Sequence, residues 1–353
     1  MYYNPYCSVV KQIPEEETSM TLILDAMGSD TYPDPEIEGA INAARDLGEE
    51  IVLVGREEVL KPKLAAARAG NLPLRVVHAP DVLEMTDKPV EGTRKKPLNS
   101  MSVGLGLVKR GEGRAFFTAG NTGGACFNAL RTLGRLKGVD RAPLAPIIPT
   151  KTGRCVLVDS GANVDCRPEF LLQFAILASI YANQILNIEN PRVGLLSNGE
   201  EEEKGNELVK TARPLLAANK ALNFIGNVEP KEVYQGHVDV LVADGFAGNV
   251  FLKSSEAVAD LLLSSVKESI ESKPVWKLGG LLARPAFRQV RKMLNPEDVG
   301  GALLLGVDGL ALIGHGRSNA RAIYSGLSFA QQCANSNLLN AMRGAVLTAL
   351  SEA

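Results

Sequence analysis

The chain has 353 residues, enough for one large α/β domain or two smaller ones, and is 45% hydrophobic and 22% charged, ordinary values for a globular enzyme. A formal net charge of −2 and only 5% aromatic residues leave no basic–aromatic stripe of the kind that reads nucleic acid, so no nucleic-acid partner is expected. The five cysteines (Cys7, Cys126, Cys155, Cys166, Cys333) show no CxxC spacing and the three histidines lie far apart. They read as reduced thiols of a cytosolic protein, with no disulfide framework, no metal site and no cofactor expected.

Residues 1–19 lack the basic start and apolar core of a signal peptide, and Pro14-Glu15-Glu16-Glu17 reads as a solvated, poorly ordered extension. From Thr21 onward, short apolar runs alternate with helical ones. Leu22–Leu24 ends at Asp25-Ala26-Met27-Gly28-Ser29-Asp30, with a helix expected to start at Asp34-Pro35. Ile51–Val54 ends at Gly55, Leu74–Val77 at His78, and Ala115–Thr118 at Ala119-Gly120-Asn121-Thr122-Gly123-Gly124. Cys155–Val158 runs into Asp159-Ser160-Gly161-Ala162-Asn163, and Val193–Leu196 into a polar cluster from Asn198 to Asn206 that holds four glutamates and Lys204. Val238–Val242 ends at Asp244-Gly245-Phe246-Ala247-Gly248-Asn249.

This alternation predicts an α/β fold, a mostly parallel sheet with helices on both faces, in which strands buried on both sides need not alternate polar and apolar positions. Phe170–Leu186 carries Gln173, Asn183 and Gln184 and is short for a span, so it reads as a buried core helix. The C-terminal third holds a smaller helical lobe or hairpin over residues 254–297, where a helical pattern from Ser254 to Ser272 meets Lys273–Lys292. Pro274, Gly279, Gly280 and Pro285 are expected to break that second stretch into short pieces.

Several strand ends share glycine, asparagine, aspartate and threonine ahead of a helix, where ligands of open α/β sheets bind. Gly120, Asn121, Thr122 and Gly123 suit a phosphate, since glycines admit close approach and a helix N-terminus presents amides; a plain tight turn with an N-cap is the other reading. Asp25 and Asp30 would repel phosphate unless they orient a lysine or hold a metal. Lys96, in Arg94-Lys95-Lys96, is either part of a solvated basic loop or of an anion site, and Arg141 could clamp an anion bidentately. Cys126 is the one candidate nucleophile and reads better as a small core residue. His315, between Gly314 and Gly316, either meets a ligand or packs in a turn. No Walker A or GxGxxG fingerprint follows the first strand.

Residues 273–292 carry six basic and no acidic residues interleaved with apolar ones, among them the only tryptophan. Trp276, Lys277, Leu281, Leu282, Arg284, Phe287 and Arg288 suit an anionic membrane face or an acidic carrier protein; a helical hairpin at a dimer interface is the alternative.

In order, DAMGSD from Asp25, KP and RKK from Lys88, AGNTGG from Ala119, RAPLAP from Arg141, DSGAN from Asp159, GLLSNGEEEEKGN ending at Asn206, DGFAGNV from Asp244, and GGALLLG with HGRS from Gly300 resemble the phosphate acyltransferases of bacterial phospholipid synthesis. The resemblance spans Thr21 to Ala353. Ser29 stands where the family has a second glycine, and Pro97-Leu98-Asn99 replaces a more polar stretch.

The resemblance implies a fold like the isocitrate and isopropylmalate dehydrogenases and the phosphotransacetylases. It also implies a homodimer that is cytoplasmic and peripherally bound to the inner face of the cell membrane. The implied activity moves a long-chain acyl group from acyl carrier protein to inorganic phosphate, and the acyl phosphate product feeds a glycerol-phosphate acyltransferase. A thioester is already activated, so positioning and charge neutralisation suffice for direct phosphate attack. In that mechanism Lys204 and the Gly120 turn hold phosphate, Asn163, Asn206 or Asn249 donate to the oxyanion, and His315 assists the leaving thiolate, with Asp244 among the substrate-binding residues. A short-chain, coenzyme A-dependent phosphate acetyl- or butyryltransferase and a non-catalytic membrane scaffold are the competing expectations.

Overall fold

The computed structural model describes residues 21–294 and 300–349; the 1–19 extension and the end of the 254–297 segment lie outside them. The chain divides into two compact units, one containing the residues up to Asp140 with Gly306–Ala320 and Ala330 onward, the other Arg141–Leu305 with Arg321–Phe329.

The first unit opens with β1 (Thr21–Asp25), α1 (Asp34–Asp46), β2 (Glu50–Gly55), α2 (Glu57–Ala66), β3 (Leu74–His78), α3 (Pro89–Lys95), α4 (Ser100–Lys109), β4 (Ala115–Thr118) and α5 (Thr122–Thr132). Leu22 to Leu24 and Ile51 to Val54 are wholly buried, which is why these strands are continuously apolar. β1 pairs in parallel with β2 and β4, and β2 with β3.

The second unit holds β5 (Leu144–Ala145), β6 (Ile147–Pro149), β7 (Arg154–Val158), α6 (Pro168–Leu186), β8 (Arg192–Leu196), α7 (Glu207–Ala218), β9 (Asn223–Val228), α8 (Pro230–Gln235), β10 (Val240–Val242), α9 (Gly245–Glu271), α10 (Pro274–Leu294) and β11 (Ala302–Leu304). Its 5-stranded sheet has the order β6-β7-β10-β8-β9. Only β6 runs antiparallel there. A register shift between Val193 and Gly194 leaves Ile225 as the extra residue of β9, and Gly226, at a φ of 100°, pairs with Gly194. Cys155, Leu157, Val233, Val238 and Leu241 lie in its core, with Leu196 packed against them.

The chain then returns to the first unit with β12 (Ala311–Ile313), which pairs in parallel with β4. α11 (Ala320–Asn335) contributes residues to both units, and α12 (Leu338–Ala349) closes the first.

Among the described residues, α6 is the helix long and apolar enough to cross a membrane, and 67% of its apolar window is buried. Phe174, Leu177 and Tyr181 have no exposure at all, as expected of a core helix.

Two expectations need correction. α9 begins at Gly245, not at Ser254, because Asp244 caps it by accepting from the Ala247 amide at 2.8 Å. Residues 274–294 form one continuous helix rather than short pieces. Pro274 sits at the helix start, where its missing amide hydrogen costs nothing. Gly280 serves close packing: a Cβ there would lie 2.5 Å from Ile270 Cγ2 of α9. Pro285 is absorbed inside the helix, at the loss of one backbone bond.

Candidate functional site

In the first unit the parallel register aligns the carboxyl ends of β1, β4 and β12, with Leu24 opposite Phe117 and Ile313 opposite Thr118. The loops that follow pack on one another through glycine. A Cβ on Gly28 would lie 2.9 Å from the Gly120 amide, and one on Gly120 would lie 2.3 Å from Met101 Cε. Asp25 is wholly buried and organises this junction from behind. It accepts from Thr118 Oγ1 at 2.7 Å and from the Met27 amide at 3.0 Å, and burial holds its carboxyl above the usual range although the Thr118 and Ser100 hydroxyls oppose that rise. Thr118 Oγ1 in turn accepts from the Gly120 amide at 3.0 Å.

Asn121 caps α5, accepting from the Gly124 amide at 2.9 Å. Its Nδ2 donates to the carbonyls of Glu84, Met85 and Asp87, so its side chain fastens the 84–87 segment to the turn. Thr122 and Gly123 are exposed and begin α5, where backbone amides have no intrahelical acceptor. Lys96 is half-buried and ion-paired with Asp87 at 2.5 Å, which holds the Asp87 carboxyl below its usual range. Asp30 is exposed, and its amide donates to Gly316 O at 2.7 Å. That contact brings the loop of half-buried His315 against the β1 loop. The His315 carbonyl accepts from both the amide and the hydroxyl of Ser318. Cys126 lies on α5, half-buried.

In the second unit β7, β10 and β8 end level, with Val242 opposite both Val158 and Leu195. Asp159 is buried and accepts from the Leu144, Gly161, Ala162 and Asn163 amides; burial nevertheless pushes its carboxyl up. Asn163 Nδ2 donates to Asp159 Oδ2 and to Ala142 O, both at 3.0 Å. The Asn163 carbonyl accepts from the Gly245 amide at 2.8 Å, fixing the start of α9 on this loop. Exposed Asn249 approaches Gly161, whose φ of 135° is open to glycine alone. Arg141 is exposed, its guanidinium 5.4 Å from the Phe170 ring centroid.

Asn206 caps α7 through the Val209 amide at 2.9 Å, and Asn198 Oδ1 accepts from the Gly205 amide at 2.9 Å. Lys204 between them is exposed. Asn227 Nδ2 holds this loop from β9 by donating to Glu201 O at 2.8 Å. A cavity of about 570 Å³ opens at the ends of β8 and β10, and Ser197, Asn198, Gly205, Asn206 and Asp244 belong to its lining. Glu200, Glu229 and Glu232 cluster nearby, and Lys231 pairs with all three, so a cation of the chain itself already sits among them.

Thus Asp25, Asp30, Lys96, Gly120, Asn121, Thr122, Gly123 and His315 belong to one unit, and Arg141, Asn163, Lys204, Asn206, Asp244 and Asn249 to the other. Thr118, Ser100 and Asn227 support these loops without any motif signal of their own, since a buried hydroxyl or amide acquires its role only from the strands it joins.

Parallel strands ending in glycine- and asparagine-rich loops define an α/β fold of the phosphotransacylase type. A phosphotransacetylase from Streptococcus pyogenes superposes with a TM-score of 0.59 at 16% identity, covering 90% of this chain and 94% of its own. A 4-hydroxythreonine-4-phosphate dehydrogenase from Klebsiella pneumoniae gives 0.50 at 14% identity, covering 91% and 99%. The sequence model of the family described as "Fatty acid synthesis protein" matches residues 20–341. A phosphate acyltransferase of Acidobacterium capsulatum is 48% identical over 318 residues, covering 90% of this chain and 94% of that protein. The chain belongs to this phosphate acyltransferase family and is an acyltransferase.

Proposed function

We propose that the enzyme transfers a long-chain acyl group from acyl carrier protein to inorganic phosphate. The observation that carries the carrier-protein reading is the hairpin of α9 and α10. It exposes Leu261, Leu262, Val275, Trp276, Leu278, Leu281 and Leu282, the last at 79%, on a segment whose residues 273–292 contain no acid. An acidic carrier protein complements that charge, whereas free coenzyme A needs no such surface.

Phosphate oxygen attacks the thioester carbon, the carbon–oxygen bond forms as the carbon–sulfur bond breaks, and the thiolate leaves. The amides of Thr122 and Gly123 in the first unit and the ammonium of Lys204 in the second are each suited to the dianion, and Gly120 and Asn121 shape the turn. An Asn206 or Asn249 amide donates to the oxyanion, the expected Asn163 being excluded because its Nδ2 is spent on Asp159 and Ala142, and His315 supplies a proton to the departing sulfur. Asp25 holds its turn from within. Asp30, Lys96, Arg141 and Asp244 border the substrates.

The same hairpin favours a second contact. Lys273 sits 4.3 Å from the Trp276 ring centroid, and basic residues beside exposed apolar ones suit the interface of an anionic bilayer. Lys277, Arg284, Phe287 and Arg288 extend that face, and a homodimer would cover part of it. Peripheral attachment to the cytoplasmic membrane face would place the product beside a glycerol-phosphate acyltransferase.

The test is acyl phosphate formation, trapped with hydroxylamine, from phosphate and hexadecanoyl-acyl carrier protein beside hexadecanoyl-coenzyme A. Phosphate-dependent product from the carrier-protein substrate is expected. Product from the coenzyme A thioester alone would replace this reading with a phosphotransacetylase, and none from either would leave a scaffold.

A further inference from the structure

Asn198-Gly199 is the one asparagine–glycine step in the chain, and it lies in the loop that follows β8, with Asn198 exposed. A glycine after asparagine has no Cβ to keep its backbone nitrogen away from the side-chain carbonyl carbon. The fold adds three local features. Asn198 Oδ1 accepts from the Gly205 amide at 2.9 Å, which polarises that carbonyl as an oxyanion-stabilising donor does. The Gly199 amide has no acceptor among the described residues, so no hydrogen bond has to break before it reacts. A Cβ built on Gly199 would lie 2.8 Å from Glu201 Oε2, which puts a carboxylate base beside the residue whose amide proton must leave.

The same glycine supports Lys204. The built Cβ would lie 2.7 Å and 3.2 Å from Lys204 Cγ and Cδ, so the aliphatic stem of that side chain rests on Gly199. Lys204 and Glu201 are both exposed and can swing aside, so they cover Gly199 without locking it. A change in the main chain at this step therefore reaches the lysine directly.

We infer that Asn198 is a site of spontaneous deamidation, which converts the 198–199 link into an isoaspartyl linkage and so shifts Lys204. The Gly199 nitrogen attacks Asn198 Cγ as its proton passes to Glu201, and the bond from Cγ to the side-chain nitrogen breaks. That nitrogen leaves as ammonia, taking the proton, and a succinimide ring remains. Water then adds to either ring carbonyl and opens it to aspartate or isoaspartate. Nothing is oxidised or reduced, and the net exchange is one water taken up for one ammonia released. Aspartate keeps an acceptor for Gly205 and adds a charge beside four glutamates. Isoaspartate also inserts a carbon into the main chain, which moves the surface on which Lys204 rests. The effect on turnover rests on the proposed role of Lys204; the modification itself does not.

The test incubates the folded protein at pH 8 and digests it with trypsin, which releases residues 193–204, a peptide whose one side-chain amide is Asn198. A gain of about 1 Da in that peptide marks NH2 replaced by OH, and an isoaspartyl methyltransferase with labelled S-adenosylmethionine counts the isoaspartate. With no Cβ in the path of ring closure, Asn198 should react about tenfold faster than exposed Asn206, which glutamate follows. Reaction only after unfolding in urea, or no faster at Asn198 than at Asn206, overturns the inference. In Asn198→Gln the extra methylene makes the ring six-membered and its closure slow, so this variant should form no isoaspartate at that position. Aged alongside wild type, and folded by its thermal midpoint, it should keep its starting rate of acyl phosphate formation while wild type loses rate in step with isoaspartate. Isoaspartate in a protein that keeps its full rate overturns the coupling to Lys204 and leaves the modification standing. No acyl phosphate even from fresh wild type sinks the proposed function instead, and the mass gain still reads the site.

Discussion

Thr118 Oγ1 donates to the buried Asp25 carboxylate at 2.7 Å and accepts from the Gly120 amide at 3.0 Å. One hydroxyl thus ties the end of β1 to the turn that opens α5, and it does so where both strands are fully buried. Valine has nearly the same shape and neither bond. Thr118→Val should therefore cost about 1–3 kcal/mol, the penalty for leaving a buried polar group unpaired, and raise KM for phosphate by loosening the Gly120 turn. Thr118→Ser should restore both. Denaturant midpoints and phosphate kinetics on the two variants check this, and a serine variant as impaired as valine would show that packing, not the hydroxyl, matters.

Glu36 lies under the same loop, wholly buried, with one oxygen accepting from the Ser29 amide at 2.8 Å and the other unpartnered. Burial pushes its carboxyl up to about 7. Because the folded value exceeds the unfolded one of 4.5, the native state binds the proton more tightly. Its contribution is fully present below about pH 4.5 and is lost as pH rises to 7. The loss sums to about 3 kcal/mol by linkage. Glu36→Gln cannot ionise, so its unfolding free energy should decline less across that window than that of the wild type. Urea midpoints at pH 5 and pH 8 measure the difference, and parallel pH profiles would mean that Glu36 does not titrate there.

The parallel sheets were legible because strands buried on both faces are continuously apolar: Thr21–Asp25, Ala115–Thr118 and Arg154–Val158 stand out in sequence. β9 does not, since Asn223-Phe224-Ile225-Gly226-Asn227-Val228 carries two asparagines and a glycine whose places are set by the bulge and by the Glu201 carbonyl. The start of α9 was hidden for a related reason. Gly245 and Gly248 look like loop residues, yet both are required for helix docking. The polar strand ends were equally legible, but not the direction of their side chains. Nothing in Asn121 announces that its amide is spent on the 84–87 carbonyls.

Gly248 shows how tight that docking is. A Cβ at this position would lie 1.9 Å from the Asp159 backbone oxygen, and backbone cannot swing aside as a side chain can. Gly248→Ala should destabilise the protein by about 1–3 kcal/mol or more, the usual cost of overpacking, and should disturb Asn163. A thermal midpoint within a degree of wild type would contradict this contact.

The exposed face of the α9–α10 hairpin predicts lipid binding that depends on both chemistry and charge. Leu281 and Trp276 are 62% and 47% exposed, and burying either in a bilayer is worth about 1.5–3 kcal/mol. Leu281→Glu and Trp276→Glu should each weaken binding to phosphatidylglycerol vesicles tenfold or more in a co-sedimentation assay. Raising the salt should weaken the wild type as well, since screening acts on Lys277, Arg284 and Arg288. Equal binding to neutral and anionic vesicles would remove the electrostatic half of the argument.

Lys204 offers the sharpest separation of chemistry from folding. It is exposed, and its backbone rather than its ammonium group holds the loop, its amide donating to Glu201 O at 3.1 Å. Lys204→Ala should therefore change stability by no more than about 0.5 kcal/mol. If the ammonium neutralises the attacking phosphate, the same change should lower kcat by about 10²-fold, the usual cost of removing one preorganised charge or donor. Lys204→Arg, which keeps the charge, should recover part of the rate. Single-turnover assays with saturating phosphate separate binding from chemistry: a wild-type rate under those conditions confines Lys204 to phosphate capture, while a wild-type kcat/KM removes it from the mechanism.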